Sequence, residues 1–446
     1  KKGAFLKSIW LQTCAYLYTN KIKPTMLEWS CPGSMMEADI NELDKIYNSL
    51  CKLTPIVGAK TTLAYHQNAV TEAEAVCSYA LSQNFGLNSN NIFLGIDVGG
   101  STSDILLLAK DSDNGNKATL YRESSVRLAA GVFFNAVIKS DTFRQALLSF
   151  HEGHKTNVYV SNIKEILTEP SKAPYFLNSI FDQLKTTEDY EEFYSSIDVN
   201  AKFVFTIPAY VTGMLLYYSG MLIGKTIKAE HLERISRIDV LSFGKGGRLF
   251  HWLLNSAGVR ATREYYADCL NAGVRMVVGK ELDVIYRDEI AEDNKAEVAR
   301  GLCDPKELEK KAFSSESDIC GESGVKYIMA NGAPKELQAE DELTGDYFAN
   351  EMNNFDFSGI ENFEKFMNIF LDFVSVKTHL YPQADNALRS DLADLPNRIA
   401  SYICNNDTEY RKARNSEDGS FHYHQPLIIA EGVCFLDTLI KKVFDQ

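Results

Sequence analysis

Apolar and polar positions along this chain follow two rhythms, and each predicts a different element. A spacing near 3.6, with apolar residues at Met36, Ile40, Leu43, Ile46, Tyr47 and Leu50, predicts a helix over 35–53. The same rhythm predicts helices over 1–22, 70–83, 132–138, 210–228, 249–255, 363–376, 391–402 and 428–443. Thr71, with Glu72 and Glu74 in the first turn, marks the start of the helix over 70–83. Short runs of bulky residues predict buried strands over 25–31, 92–96, 105–108, 118–128, 203–207 and 238–243. Residues 139–200 are polar and mainly helical, broken at Glu169-Pro170-Ser171, and are expected to form an inserted subdomain. From 304 to about 345 the chain is acidic, rich in Ser, Glu and Gly, and reads as a linker or mobile region.

Two of the apolar runs are joined by Asp97-Val98-Gly99-Gly100-Ser101-Thr102-Ser103-Asp104, which predicts a β-hairpin with a glycine-rich tip. Glycines there let the backbone approach a ligand, so that successive N–H groups can point at phosphate oxygens. Asp97 and Asp104 flank the turn and could hold a hydrated Mg²⁺, an ion that prefers oxygen ligands and retains waters. A structural hairpin whose acids only cap its turn fits the same text. A second strand, glycine turn and helix follow at 240–254, through Gly244-Lys245-Gly246-Gly247-Arg248. Unpaired N–H groups and the positive end of a helix dipole would meet there. Gly246 and Gly247 would let a flat nucleoside lie against the backbone, and Arg248 could stack on its base. An ordinary strand–helix connection reads equally well.

Composition narrows the partners more than the fold. The 446 residues suggest two to four domains, and 45% hydrophobic with 24% charged residues is ordinary for a globular protein. A net charge of −14 argues against a nucleic-acid-binding surface. Nine cysteines, with no Cys-x-x-Cys pair, read as reduced thiols and a cytoplasmic setting. The most apolar window, 211–224, is interrupted by Gly213, Tyr217, Tyr218, Ser219 and Gly220 and falls short of the roughly 20 residues of a membrane span. His422 with His424, and His151 with His154, are expected to be surface histidines rather than metal ligands. Phe363, Phe366, Phe370 and Phe373 share helical spacing and read as a packing seam. Gly58-Ala59-Lys60-Thr61-Thr62 lacks the leading glycine of a P-loop and reads as a turn.

Taken together, the glutamate-led helix at Glu72 and the hairpin Gly95-Ile96-Asp97-Val98-Gly99-Gly100-Ser101-Thr102-Ser103-Asp104 resemble the second phosphate motif of the actin/Hsp70/hexokinase ATPase superfamily. Asp97, Gly99, Gly100, Thr102 and Asp104 match D-x-G-G-x-T-x-D position by position. The segment 241–248 is similar to the adenosine motif, matching at Gly244 and Arg248, with Lys245 in place of the second glycine. Arg127 to Phe134 resembles the L-G-G-x-x-F-D segment without its paired glycines, and 294–302 resembles the closing A-V-A-x-G-A helix. The resemblance implies an α/β fold of ribonuclease-H-like lobes: 1–90 the remainder of a first lobe, 91–138 and 201–303 a second. The insertion at 139–200 and a mainly helical extension at 304–446, expected to bind a protein partner, would complete it.

It further implies ATP and Mg²⁺ as cofactors. Gly99, Gly100, Ser101 and Thr102 would take the phosphates, with Asp104 bracing the hairpin. Asp97 would act on Mg²⁺ through water and Glu72 would orient that shell. Gly244, Gly246, Gly247 and Arg248 would take the nucleoside. Gly244 follows Asp97 by 147 residues (244 − 97), room for one half of a two-lobed fold. No strand–Asp-x-Gly–strand text occurs in 1–90, so the chain is expected to be the C-terminal portion of a longer ATPase, weak alone, whose hydrolysis drives protein association as in chaperones. A non-catalytic scaffold on the same fold, and a small-molecule kinase or activase, are the alternatives.

Overall fold

The computed structural model describes residues 2–22, 24–31, 37–53, 60–63, 70–82, 87–111, 117–137, 140–153, 187–197, 202–287, 296–303, 309–310, 318–329, 332–343, 352–407, 410–411 and 425–444. The chain forms an α/β fold of two compact units, Lys1–Leu87 with Asp293–Glu309, and Asn88–Glu292 with Lys310–Gln446.

In the first unit, helix α1 (Lys2–Thr19) turns Trp10 and Cys14 inward, one helical turn apart. They pack against Leu50 of α2 (Glu37–Cys51). The stretch expected to be one strand over 25–31 divides into β1 (Pro24–Leu27), which pairs in parallel with β3 (Lys60–Leu63), and β2 (Ser30–Cys31), which pairs in parallel with β4 (Val70–Thr71). Lys60-Thr61-Thr62 is therefore strand, not the turn expected of it. Helix α3 (Glu72–Ser82) follows β4 directly, and Thr71 caps it. The Glu74 N–H donates to Thr71 Oγ1 at 3.1 Å, and the Thr71 N–H donates to Glu74 Oε2 at 2.7 Å. This reciprocal capping box contributes about 1 kcal/mol.

The second unit is built on a mixed sheet. Strands β5 (Asn91–Val98), β6 (Ser103–Asp111) and β7 (Lys117–Val126) form an antiparallel meander. Helices α4 (Gly131–Val137), α5 (Asp141–Gly153) and α6 (Thr187–Ser196) follow, and Phe143, Leu147, Tyr190 and Phe193 enter the same core as the sheet. Next comes α7 (Thr206–Ala229), buried along nearly its whole length. Residues 203–207, expected to be a strand, form a 3-10 turn at Phe203–Phe205 and the start of α7. A short apolar run cannot by itself distinguish a buried strand from a buried helix, and Pro208 suits a helix's first turn, where its missing N–H costs nothing. By length and composition α7 could cross a membrane, yet its most apolar 18-residue window is wholly buried.

Strand β8 (Arg237–Phe243) then lies parallel to β5, and α8 (Arg248–Ala257) and α9 (Val259–Val278) lead to β9 (Asp283–Tyr286), parallel to β8. The sheet order is β7-β6-β5-β8-β9, with β10 (Glu309–Lys310) beyond β7. Before β10, helix α10 (Glu297–Cys303) returns to the first unit and packs on α3. There Gly301 lies against the Ala75 carbonyl with no room for a side chain.

The expected linker is corrected by the structure over 318–343. Strands β11 (Lys326–Ile328) and β12 (Pro334–Glu336) join β13 (Phe355–Asp356) in an antiparallel sheet, and Ile319, Cys320, Val325 and Leu337 are fully buried. The acidic composition masked this because the apolar positions are few and separated by turns at Gly321 and Gly324, both with positive φ. Three helices complete the unit: α11 (Glu361–Leu371), extended by a π-helical turn at Asp372–Lys377, α12 (Ala384–Asn406) and α13 (Leu427–Phe444). The phenylalanine seam is core, as its spacing predicts: Phe366 and Phe370 meet Tyr210 of α7 at 5.4 and 5.3 Å, and Phe373 stacks on Tyr265 at 4.1 Å. Phe366→Ala should cost about 3–5 kcal/mol, read as a lower urea midpoint at unchanged slope.

Candidate functional site

Hydrogen bonding between β5 and β8 places Asp97 opposite Phe243, so the glycine turns that leave these strands emerge side by side. The hairpin closes with the Gly99 N–H donating to the Thr102 carbonyl at 2.9 Å. Gly244 sits at φ +68°, where L-residues are strained, and its Cα faces the Asp97 carboxylate so closely that a Cβ would collide with Oδ1. Gly246 faces the Val98 carbonyl and the Ala130 methyl in the same way. A third turn, at 128–131, was singled out in sequence only as part of a weak match. Its Ala130 and Gly131 N–H groups donate to the Gly99 and Gly100 carbonyls, each at 3.1 Å. Ser103 Oγ donates to the Leu128 carbonyl at 2.6 Å.

Asp97, Gly99, Gly100, Ser101, Thr102, Asp104, Gly244, Gly246, Gly247 and Arg248 are thus gathered at the carboxyl end of β5 and β8. Gly99, Gly100 and Ser101 are exposed, and Asp97, Thr102 and Arg248 are half-buried. Asp97 and Asp104 stand directly opposite each other across β5 and β6. Burial raises the pKa of Asp104, opposed by a hydrogen bond with Ser125 on β7. Like charges directly opposed on a sheet are destabilising, and a proton or a cation relieves them. Among the described residues no group of three or more His, Cys, Asp or Glu side chains is arranged to hold a metal. Any ion at Asp97 would therefore need water and a ligand's oxygens to complete its shell, which suits Mg²⁺. Glu72 belongs to the first unit, where it opens α3.

On the nucleoside side, a 3-10 turn over Lys245–Gly247 runs into α8, with the Gly247 N–H donating to the Gly244 carbonyl at 3.2 Å. Ser242 Oγ lies 3.4 Å from the Gly247 carbonyl and 2.9 Å from the Tyr286 hydroxyl, which anchors the turn to β9. One helical turn beyond Arg248, burial and the nearby guanidinium push the His251 imidazole down to about 4, so it is neutral at pH 7. The third turn is braced from the C-terminal helices: the Arg127 N–H donates to Gln425 Oε1 at 3.3 Å, and its guanidinium pairs with Asp407 at 3.2 Å.

A buried network at the opposite end of the sheet has no counterpart among the sequence motifs. Asp239 of β8 accepts hydrogen bonds from Asn91 at 2.6 Å and from Arg287 at 2.8 Å and pairs with Arg237. Burial pushes its carboxyl up, and these donors together outweigh it, so its pKa is lowered. A lone Asp between apolar strand residues was the available signal. His154, His422 and His424, and the side chain of His151, lie outside the described residues. No protein-family model matches the chain, and no curated protein matches it.

Two glycine substitutions should separate folding from binding here. Gly244→Ala should destabilise by about 1–3 kcal/mol through φ strain, and more where the Asp97 collision is not relieved. Gly100→Ala should leave thermal unfolding unchanged, because among the described residues a Cβ there meets nothing within 4 Å. Thermal melts of the two variants check this.

Proposed function

We propose that the second unit binds the phosphates of a nucleotide, ATP with Mg²⁺, at its three-turn end, as one lobe of an actin/Hsp70-type ATPase. The observation that carries this reading is Gly100. Glycine at 131, 244 and 246 is explained by turns packed too closely for a side chain. At Gly100 the φ is not positive and the Cβ direction is open, so nothing among the described residues demands a glycine. A backbone left bare at an exposed hairpin tip is what close approach by an anionic ligand requires.

In this reading the hairpin amides and the Thr102 hydroxyl hold phosphate oxygens, and Asp97 orients the waters of Mg²⁺. The start of α8 adds its dipole, with Arg248 lying over the base. An antiparallel meander followed by two parallel strands reached through helices is compatible with a ribonuclease-H-like lobe. Position at the carboxyl ends of parallel strands is also the usual place for a ligand in an open α/β sheet. The part assigned to Glu72, hydrolysis as a conformational switch, and a partner at 304–446 rest on the motif resemblance alone. A scaffold without turnover is the second reading. It is favoured by Ala130, which stands where the resemblance expects paired glycines and whose methyl fills the space facing Gly246.

Calorimetric titration of ATP with Mg²⁺ tests the proposal. Binding should weaken about tenfold or more in Gly100→Ala and Thr102→Ala, a loss of about 1.4 kcal/mol or more. Asp97→Asn should abolish its Mg²⁺ dependence. No binding by the unaltered protein would overturn the nucleotide reading, and binding without phosphate release would select the scaffold.

A further inference from the structure

The helical part of the second unit encloses two carboxyl groups that the nucleotide reading does not use. Glu322, in the 318–343 segment, and Glu431, on α13, are both fully buried. Glu322 performs a task that Ile360, at the N-cap of α11, cannot. Its Oε1 accepts the N–H groups of Asn362 and Ser323, each at 2.7 Å, and its Oε2 accepts that of Phe363 at 2.9 Å. Three backbone donors and the positive end of a helix stabilise the carboxylate form. Glu431 is in the opposite position. Neither of its oxygens receives a hydrogen bond among the described residues. The Tyr210 hydroxyl of α7, whose field Glu431 shares, is already committed to the Gly432 carbonyl at 2.9 Å. Its neighbour is the carboxyl of Glu322, whose oxygens already accept the three backbone donors and whose own pKa burial raises to about 7, below that of Glu431.

We propose that Glu431 retains a proton and donates it to Glu322, and that this shared proton latches the 318–343 segment and the start of α11 onto α13. An ionised pair would place two like charges together in the core, and the proton belongs on Glu431 because Glu322 already accepts three backbone N–H groups and Glu431 none among the described residues. The other titratable groups facing the pair are Tyr210 and Tyr217 of α7, Cys320 of the segment and Cys434 of α13. Arg275 and Asp341 act on the pair's neighbours Tyr217 and Cys320. Burial raises both carboxyls, and the backbone donors pull Glu322 back toward its ionised form.

An unfolded glutamate ionises at about 4.3, so above that pH Glu431 holds a proton in the native state that it lacks in the unfolded chain. The latch is therefore fully effective below about pH 4 and weakens by about tenfold per pH unit as pH rises, until the proton leaves. Asp318, pushed up to about 7 by burial against the pull of Ser124 and Arg122, titrates in the same segment. The test is therefore made in an Asp318→Asn background.

Infrared spectra at pH 7 should show the carbonyl stretch of a protonated carboxyl that disappears in Glu431→Gln, whose amide donates permanently to Glu322. Amide-exchange protection over 318–343 and the first turn of α11, corrected for intrinsic rates, should fall with pH when Glu431 is present. That fall should be steeper by about tenfold per pH unit than in the Glu431→Gln variant. Absence of the band, or equal slopes in the two proteins, would overturn the latch. Should Glu431→Gln fail to fold, the unsubstituted glutamate decides: loss of its band on raising the pH with protection unchanged overturns the proposal, and loss of both together supports it.

Discussion

The parallel pairing of β5 with β8 is the constraint on which the rest of the second unit depends. Its register sets Asp97 beside Phe243 and so brings together two glycine turns that lie 147 residues apart (244 − 97). Neither turn is rigid by its own sequence, since glycine and small polar residues favour no single conformation. Rigidity comes from mutual contact. Gly244 is held against the Asp97 carboxylate, Gly246 against the Val98 carbonyl, and the third turn donates two hydrogen bonds to the hairpin tip. A slip of one residue in this register would turn every buried side chain of β8 to the other face, so the core on both sides of the sheet enforces the alignment.

That core is supplied largely by α7 and α9, which cross at backbone contact. Gly220 lies against the Leu270 carbonyl and Gly273 against the Tyr217 carbonyl, leaving no space for side chains. Two helices this close form a stiff support, and α7 carries Tyr210 and Tyr217 to meet the phenylalanine seam of α11. Packing at such density transmits strain rather than absorbing it. The Asp407 and Gln425 contacts to Arg127 run from the C-terminal helices to the third turn, so this support extends to the proposed site.

Much of the sheet was legible in sequence because its signals are local. The hairpin at 92–108 announced itself by two apolar runs and a glycine tip, and Thr71 with Glu74 by the spacing of a capping box. Three features were not legible, each for a different physical reason. At 203–207 the apolar run is too short to carry a period, and tertiary burial made it helical. At 318–343 acidic composition suggested a solvated segment, whereas a few apolar anchors and positive-φ glycines fold it. The start of α11 carries no cap in its own sequence, because the cap is Glu322, about forty residues earlier in the chain. Long-range polar pairs of this kind leave no periodic trace. Of the candidate site, residue types and the hairpin were readable, but the third turn was not separable from an ordinary strand exit until its bonds to Gly99 and Gly100 were seen.

Glycines in such a site are commonly credited to ligand binding as a group, and the geometry argues for dividing them. Those at 131, 244 and 246 are required whether or not anything binds, because backbone or side-chain atoms of a neighbouring turn occupy the place of a Cβ. A scaffold that never held a nucleotide would keep them. Gly100 is different: among the described residues no atom lies within 4 Å of where its Cβ would stand. The turns therefore mix glycines that their packing demands with one that it does not, and only the second kind can test the proposed ligand site.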